Sequence, residues 1–244
     1  MNLGITQLAF NSSHELEDLA PLLSELKIQN LEIIPFRMNS KEDSIIKISK
    51  KYDLTLGSSQ SILFGSDIKD FLQEDFPDYI VSVFNRFSNL NTNVLVLGSP
   101  GQRKSFEEDR LSIQFHKIDK SLSSNSILCI EPNCQSYGGG YFFTVSEIAD
   151  FIRKNRFTNI RTMIDTHNII NEGQSPSQIF EEFADLIHHV HVSENELSSF
   201  QESEEHRKLA KSLKEFNYRG IITYEVKPQS NLEESLKQFK SIYE

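Results

Sequence analysis

Glu131, Asp165, His191 and Glu225 are the residues of this 244-residue chain whose types and spacing could do chemistry. Each closes a short apolar run, in "SILCIEP", "IRTMIDT", "IHHVHVS" and "GIITYEV", and successive members lie 34, 26 and 34 positions apart. Three carboxylates and an imidazole brought to one poorly solvated place would push one another's proton affinities up sharply, because like charges cannot all persist there. A divalent cation removes that conflict. An oxygen-rich set with one nitrogen suits Mn²⁺ first, with Mg²⁺, Co²⁺ or Zn²⁺ as alternatives, whereas a structural zinc site would draw on more sulfur or nitrogen. Glu131 and Glu225 would also supply an acid and a base for moving a proton. One such carboxylate alone is more often a helix cap or a surface ion pair. Recurrence over four successive units carries the argument.

The elements that must position these residues are short apolar runs alternating with longer amphipathic segments, the pattern of βα units around a parallel sheet. Eight strands are predicted, at "LGITQLA", "NLEIIPF", "LTLGSSQ", "NVLVLGS", "SILCIEP", "IRTMIDT", "IHHVHVS" and "GIITYEV". Helical spacing marks the segments between them, among them "HELEDLAPLLSELK", "KEDSIIKISKKY", "TVSEIADFIRKN" and "HRKLAKSLKEF", and "NLEESLKQFKSIY" follows the last strand. Eight strands each followed by a helix is the count that closes an α/β fold into a (β/α)8 TIM barrel, expected here as one domain over residues 1–244. Chemistry in that fold sits at the carboxyl ends of the strands. Strand alternation places Ile127 and Cys129 on the face of Glu131, and Ile221 and Thr223 on that of Glu225. By the same rule His189 and His191 share a face. His191 is then the ligand at the rim, His189 hydrogen-bonds beneath it, and His188 packs outward.

Other strand-end residues are candidates for binding substrate. Glu32 ends the second strand and Gln60 the third, and Ser99 and Arg103 follow the fourth, with a pair to Glu107 as the alternative for Arg103. His167 is expected on the face of Asp165 from its two-residue offset, and Asn133 and Glu194 bind substrate hydroxyls or brace the ligands. "YGGGYFF" reads either as a flap whose Tyr and Phe cover the substrate or as a tight surface turn.

The totals restrict the partners. A formal charge of −10, with 35 acidic against 25 basic residues, argues against nucleic acid, which needs many free Lys and Arg. No apolar run approaches the roughly 18 residues of a membrane span, so no membrane partner is expected. The start "MNLGITQLAF" has no Lys or Arg before Lys27 and does not read as a signal peptide, which makes a cytoplasmic location the expectation. The two cysteines are expected to be reduced. A homo-oligomer is compatible with all of this.

The strand ends also carry a resemblance. "CIEPN", "MIDTH", "VHVSE" and "TYEVK" are similar to the metal-site segments of the xylose isomerase-like TIM barrels, the superfamily of sugar phosphate isomerases and epimerases, over essentially the whole chain. "SSQSILFG", "LGSPGQR", "EPNCQSYGGGYFFT" and "HVHVSENEL" resemble one branch of it. The resemblance implies a metal held by Glu131, Asp165, His191 and Glu225, and a small carbohydrate substrate. The implied reaction is an isomerisation or epimerisation through an enediolate, with Glu131 and Glu225 as the acid/base pair. The chain departs from ketose 3-epimerases in having His167 two rather than three residues beyond Asp165, and Leu197 where they have Arg. A dehydratase at the same site is the alternative; an abasic-site endonuclease or a non-catalytic sugar-binding barrel ranks lower.

Overall fold

The computed structural model describes every residue except Ser40. Its strands are β1 (Asn2–Thr6), β2 (Asn30–Glu32), β3 (Ser58–Ser59), β4 (Val94–Leu97), β5 (Ile127–Ile130), β6 (Ile160–Asp165), β7 (Ile187–Ser193) and β8 (Ile221–Glu225). Between and after them come the helices α1 (Ser13–Glu25), α2 (Pro35–Met38), α3 (Glu42–Lys51), α4 (Phe76–Phe87), α5 (Glu108–Ser121), α6 (Val145–Asn155), α7 (Thr166–Asn171), α8 (Pro176–Phe183), α9 (Glu204–Glu215) and α10 (Leu232–Tyr243). The strands form one parallel sheet in the order β2-β1-β8-β7-β6-β5-β4-β3. Its two ends meet, because Ile33 donates to Ser58 O at 3.1 Å and accepts from the Gln60 amide at 2.9 Å. The sheet is thereby the expected (β/α)8 barrel.

Local chemistry starts the helices where the sequence changes period. Ser12, Thr144 and Ser203 accept the backbone amides of Glu15, Glu147 and His206, and Glu15 and Glu147 reach back to the amides of Asn11 and Phe143. These satisfy amides that the first turn leaves without partners. Proline opens α2, α4 and α8, where its missing donor costs nothing. Three strands are shorter than the apolar runs suggest. β1 gives way to a 3-10 turn at Gln7–Ala9, β2 runs into the proline of α2, and β3 keeps two residues.

Alternation sorts the strand residues into two cores. Val94, Val96, Cys129 and Met163 fill the barrel interior, while Leu95, Leu97, Leu128, Ile130, Val190 and Ile222 join the larger core under the helices. Between β6 and β7 the register slips, so that Thr162 pairs with Ile187 but Met163 pairs with His189. His188 is thus an extra residue in β7, a bulge. The bulge brings His191 level with Asp165 and onto the same face of the sheet. Among the described residues no helix is long and apolar enough to cross a membrane.

Candidate active site

The ends of β5, β6, β7 and β8 bring Glu131, Asp165, His191 and Glu225 together at the barrel mouth, with donor atoms all within 4.8 Å of one another. His191 Nδ1 lies 3.0 Å from Glu131 Oε1 and 3.6 Å from Glu225 Oε2. Each carboxylate is held in place. Asp165 caps α7, accepting the Asn168 amide at 2.8 Å on one oxygen and the Ser193 hydroxyl at 2.6 Å on the other. Gln60 Nε2 donates to Glu225 Oε1 at 2.8 Å, and Asn133 Nδ2 to Glu131 Oε2 at 3.3 Å. Gly98 makes room for Glu131, since a Cβ there would run into Oε2.

Below this set lies a buried triad. Glu32 is fully buried, with Oε1 2.7 Å from His191 Nε2 and Oε2 2.8 Å from His189 Nε2. A carboxylate at Nε2 favours a proton on that nitrogen and leaves the Nδ1 lone pair facing Glu131 and Glu225, the tautomer a metal ligand requires. Burial alone would raise Glu32, yet His191 and His189 hold its carboxyl well below the usual range. Glu32 is therefore ionised.

The carboxylates above carry the opposite bias. Burial, with the nearby charge of Glu131, pushes Asp165 up to about 6. Burial also pushes Glu225 up to about 8 against the pull of His191, Glu131 and Asp165 adding to the shift. Burial would lower His191, but Glu32 and Glu225 hold it well above its ordinary value. Burial and the neighbouring carboxylates raise Asp165 and Glu225, the surrounding carboxylates raise His191, and with Glu131 converging on them the set fits a divalent cation. Groups whose folded values are raised favour the protonated, folded protein at lower pH, and that contribution is lost as pH rises through the folded value. Buried His188, lowered to about 4 chiefly by burial, acts oppositely but only below its ordinary value of 6.5. Between pH 6.5 and 8 the metal-free protein is therefore expected to lose thermal stability, and added Mn²⁺ should raise the melting temperature more at pH 8 than at pH 6.5. Calorimetric melts with and without Mn²⁺ check both; a metal-free protein that gains stability over this interval would contradict the assignment.

Several rim expectations need correction. Arg103 is 1% exposed, its Nη atoms donating to the carbonyls of Leu97, Gly98, Glu131 and Phe142 at 2.6 to 3.1 Å. It ties the ends of β4 and β5 to the following loop rather than meeting substrate, and Glu107 pairs with Arg110 instead. Glu32 lies under the centre, not on the rim. Glu194 accepts from His206 Nε2 at 3.0 Å and from the Gln201 amide at 2.8 Å, both on Oε1, so that it braces the β7 loop. His167 does not continue the alternation of β6, because the strand ends at Asp165 and His167 sits in the first turn of α7. Its ring stacks on Tyr137 at 5.7 Å, and Nε2 lies 2.8 Å from Asn171 Nδ2. Within "YGGGYFF", Tyr141 and Phe142 are buried among other aromatics and anchor the loop. Only Tyr137 overlooks the mouth; burial first, then Cys134 and the charges of Asp165, Glu225 and Glu131, raise its hydroxyl. His188 lines a cavity on the outer side with Phe180 and Phe216.

The hold of Ser193 on Asp165 is a contact that the strand pattern does not name, and Tyr137 is the first tyrosine of the expected flap. Ser193 had a signal, standing two residues beyond His191 and so on its face. Beside Glu131 a cavity of about 310 Å³ opens, lined among others by Gln60, Phe64 and Ser99, which is room for a small molecule.

A family model described as xylose isomerase-like TIM barrel matches residues 21–242. No curated protein matches the chain. Among solved structures, a 3-keto-D-glucoside 4-epimerase from E. coli superposes with a TM-score of 0.81 at 14% identity, covering 99% of both chains. A D-psicose 3-epimerase from Clostridium cellulolyticum H10 gives 0.80 at 14% identity over 100% of both. An AP endonuclease, family 2, from Brucella melitensis gives 0.79 at 17% identity over 99% of both. At these identities the likeness is one of fold.

Proposed function

The chain belongs to the xylose isomerase-like TIM barrels, and from that membership and the four converging donors we propose that it is a divalent-metal-dependent epimerase or isomerase of a small carbohydrate. Mn²⁺ is the expected metal, held by Glu131, Asp165, His191 and Glu225. The bound ion would polarise a substrate carbonyl and stabilise the enediolate charge that follows loss of the neighbouring proton.

The observation that carries the reading is the placement of Glu131 and Glu225. They stand on β5 and β8, three strands apart around an eight-stranded barrel, yet both reach His191 Nδ1. Carboxylates entering from such different directions can serve the two faces of one carbon. Glu131 removes the proton, and Glu225 returns one to the other face, which inverts the centre. Gln60 and Asn133 fix the two carboxylates, and Asn133 Oδ1, buried without a protein partner, is available to a substrate hydroxyl. Tyr137, whose hydroxyl feels the charges of Asp165, Glu225 and Glu131, stacks on His167. Epimerisation is accordingly favoured over isomerisation, which needs only one such group.

The test is solvent deuterium uptake. Mn²⁺-loaded protein should incorporate deuterium next to the carbonyl of at least one sugar in a panel of ketoses and keto sugars, and a chelator should stop it. Release of a product lighter by one water would favour the dehydratase reading instead. Cleavage of an abasic duplex, with no exchange on any sugar, would overturn the proposal.

A further inference from the structure

The cavity beside Glu131 has two properties that bear on what enters it. Its lining, which includes Gln60, Ser61, Ser99 and Gln102, contains no Lys or Arg. Arg103, the adjacent arginine, spends both Nη groups on four backbone carbonyls. A phosphate would find no charge-assisted donor in this lining, whose one charged residue is Glu131.

The second property is an aromatic outer wall. Phe64 is 63% exposed and Phe36 50%, and their rings meet edge to face at 5.1 Å. Phe64 does not hang on a loose loop. The Phe64 amide donates to Ser61 O at 2.9 Å, the Ser66 amide to Leu63 O at 3.1 Å, and Tyr79 Oη to Ile62 O at 2.6 Å, while Ile62 and Leu63 are buried. Gly65, at φ +76°, lets the Phe36 ring lie against the turn, where any Cβ would collide with it. Two apolar rings are thus fixed in solvent on a rigid support, the arrangement of a binding platform. The turn begins at Gln60, which holds Glu225, so one short segment sets the distance between platform and acid/base pair.

We propose that the site takes an uncharged sugar carrying an apolar, ring-sized substituent, with its reacting carbons at the metal centre and that substituent on Phe64 and Phe36. This rests on the epimerase or isomerase reading and names its substrate class. The occupant is the far end of the substrate because Phe64 lines the reaction cavity and the platform alike.

The experiment compares D-fructose, fructose 6-phosphate and 6-O-benzyl-D-fructose with the Mn²⁺-loaded full chain, by deuterium uptake and by calorimetric binding. The benzyl ether is expected to exceed D-fructose at least tenfold in kcat/KM or affinity, and the phosphate to fall below both. In Phe64→Ala the benzyl advantage should shrink to near one, through KM. A preferred phosphate, or a benzyl advantage that survives in both Phe64→Ala and Phe36→Ala, overturns the platform. So does a dimer in sedimentation that Phe64→Ser dissociates, because a second copy then covers the rings. If none of the three exchanges, the epimerase reading is decided on the wider panel of ketoses and keto sugars, and the binding ratios alone decide the platform.

Discussion

Glu131→Gln and Glu225→Gln are each expected to abolish formation of the inverted sugar, with turnover down by ~10²–10⁴-fold, the usual worth of a positioned proton-transfer group. Both changes conserve volume. Gln60 Nε2, now 2.8 Å from Glu225 Oε1, can still donate to an amide oxygen, so the wall of the site should stay in place. Because each glutamate is also a proposed ligand, the comparison belongs at saturating Mn²⁺, with metal affinity measured separately by titration. Loss of turnover at full metal occupancy assigns the proton transfers to the two carboxylates. Undiminished deuterium uptake by both variants under those conditions would remove them from the chemistry and leave them as ligands only.

Glu32 should matter as much, although it touches neither substrate nor metal. Both its oxygens face histidine nitrogens, at 2.7 and 2.8 Å, in a site closed to water. Breaking a buried pair by deleting one partner typically costs ~3–5 kcal/mol, which is the expectation for Glu32→Ala. Glu32→Gln keeps the volume but loses the charge that holds the Nε2 proton of His191. Mn²⁺ affinity should then fall by ~10–100-fold, as when other partners of metal-bound histidines are removed. Denaturant melts read the first effect and calorimetric titration with Mn²⁺ the second. Wild-type affinity in Glu32→Gln would show that neighbouring packing, not the carboxylate, orients His191.

Much of the site was legible because the barrel turns sequence spacing into position. Residues recurring at about the length of a βα unit return to one rim, and the period of two tells which of them point inward. Those two rules pick out Glu131, Asp165, His191 and Glu225 as inward residues at strand ends, and place His189 beneath His191. The rules fail where a side chain's fate depends on neighbours remote in the chain. Glu32 ends β2, Arg103 follows β4, and both carry charge, which suits a rim contact equally well. Arg103 instead meets four carbonyls from three separate segments, and Glu32 meets histidines almost 160 positions away. For His167 the failure is local: alternation stops where α7 begins.

The sequence by itself determined the eight strands, the fold that closes them, and the four residues that end strands facing inward, because hydrophobic periodicity and strand-end position act over short stretches. Only the tertiary structure decided that His191 would stand level with Asp165. That depends on the bulge at His188, a shift in pairing between two strands that neither strand's own pattern encodes. The same holds for Phe64 and Phe36. They lie 28 positions apart and are ordinary apolar residues until α2 and the turn after β3 bring them edge to face beside the cavity.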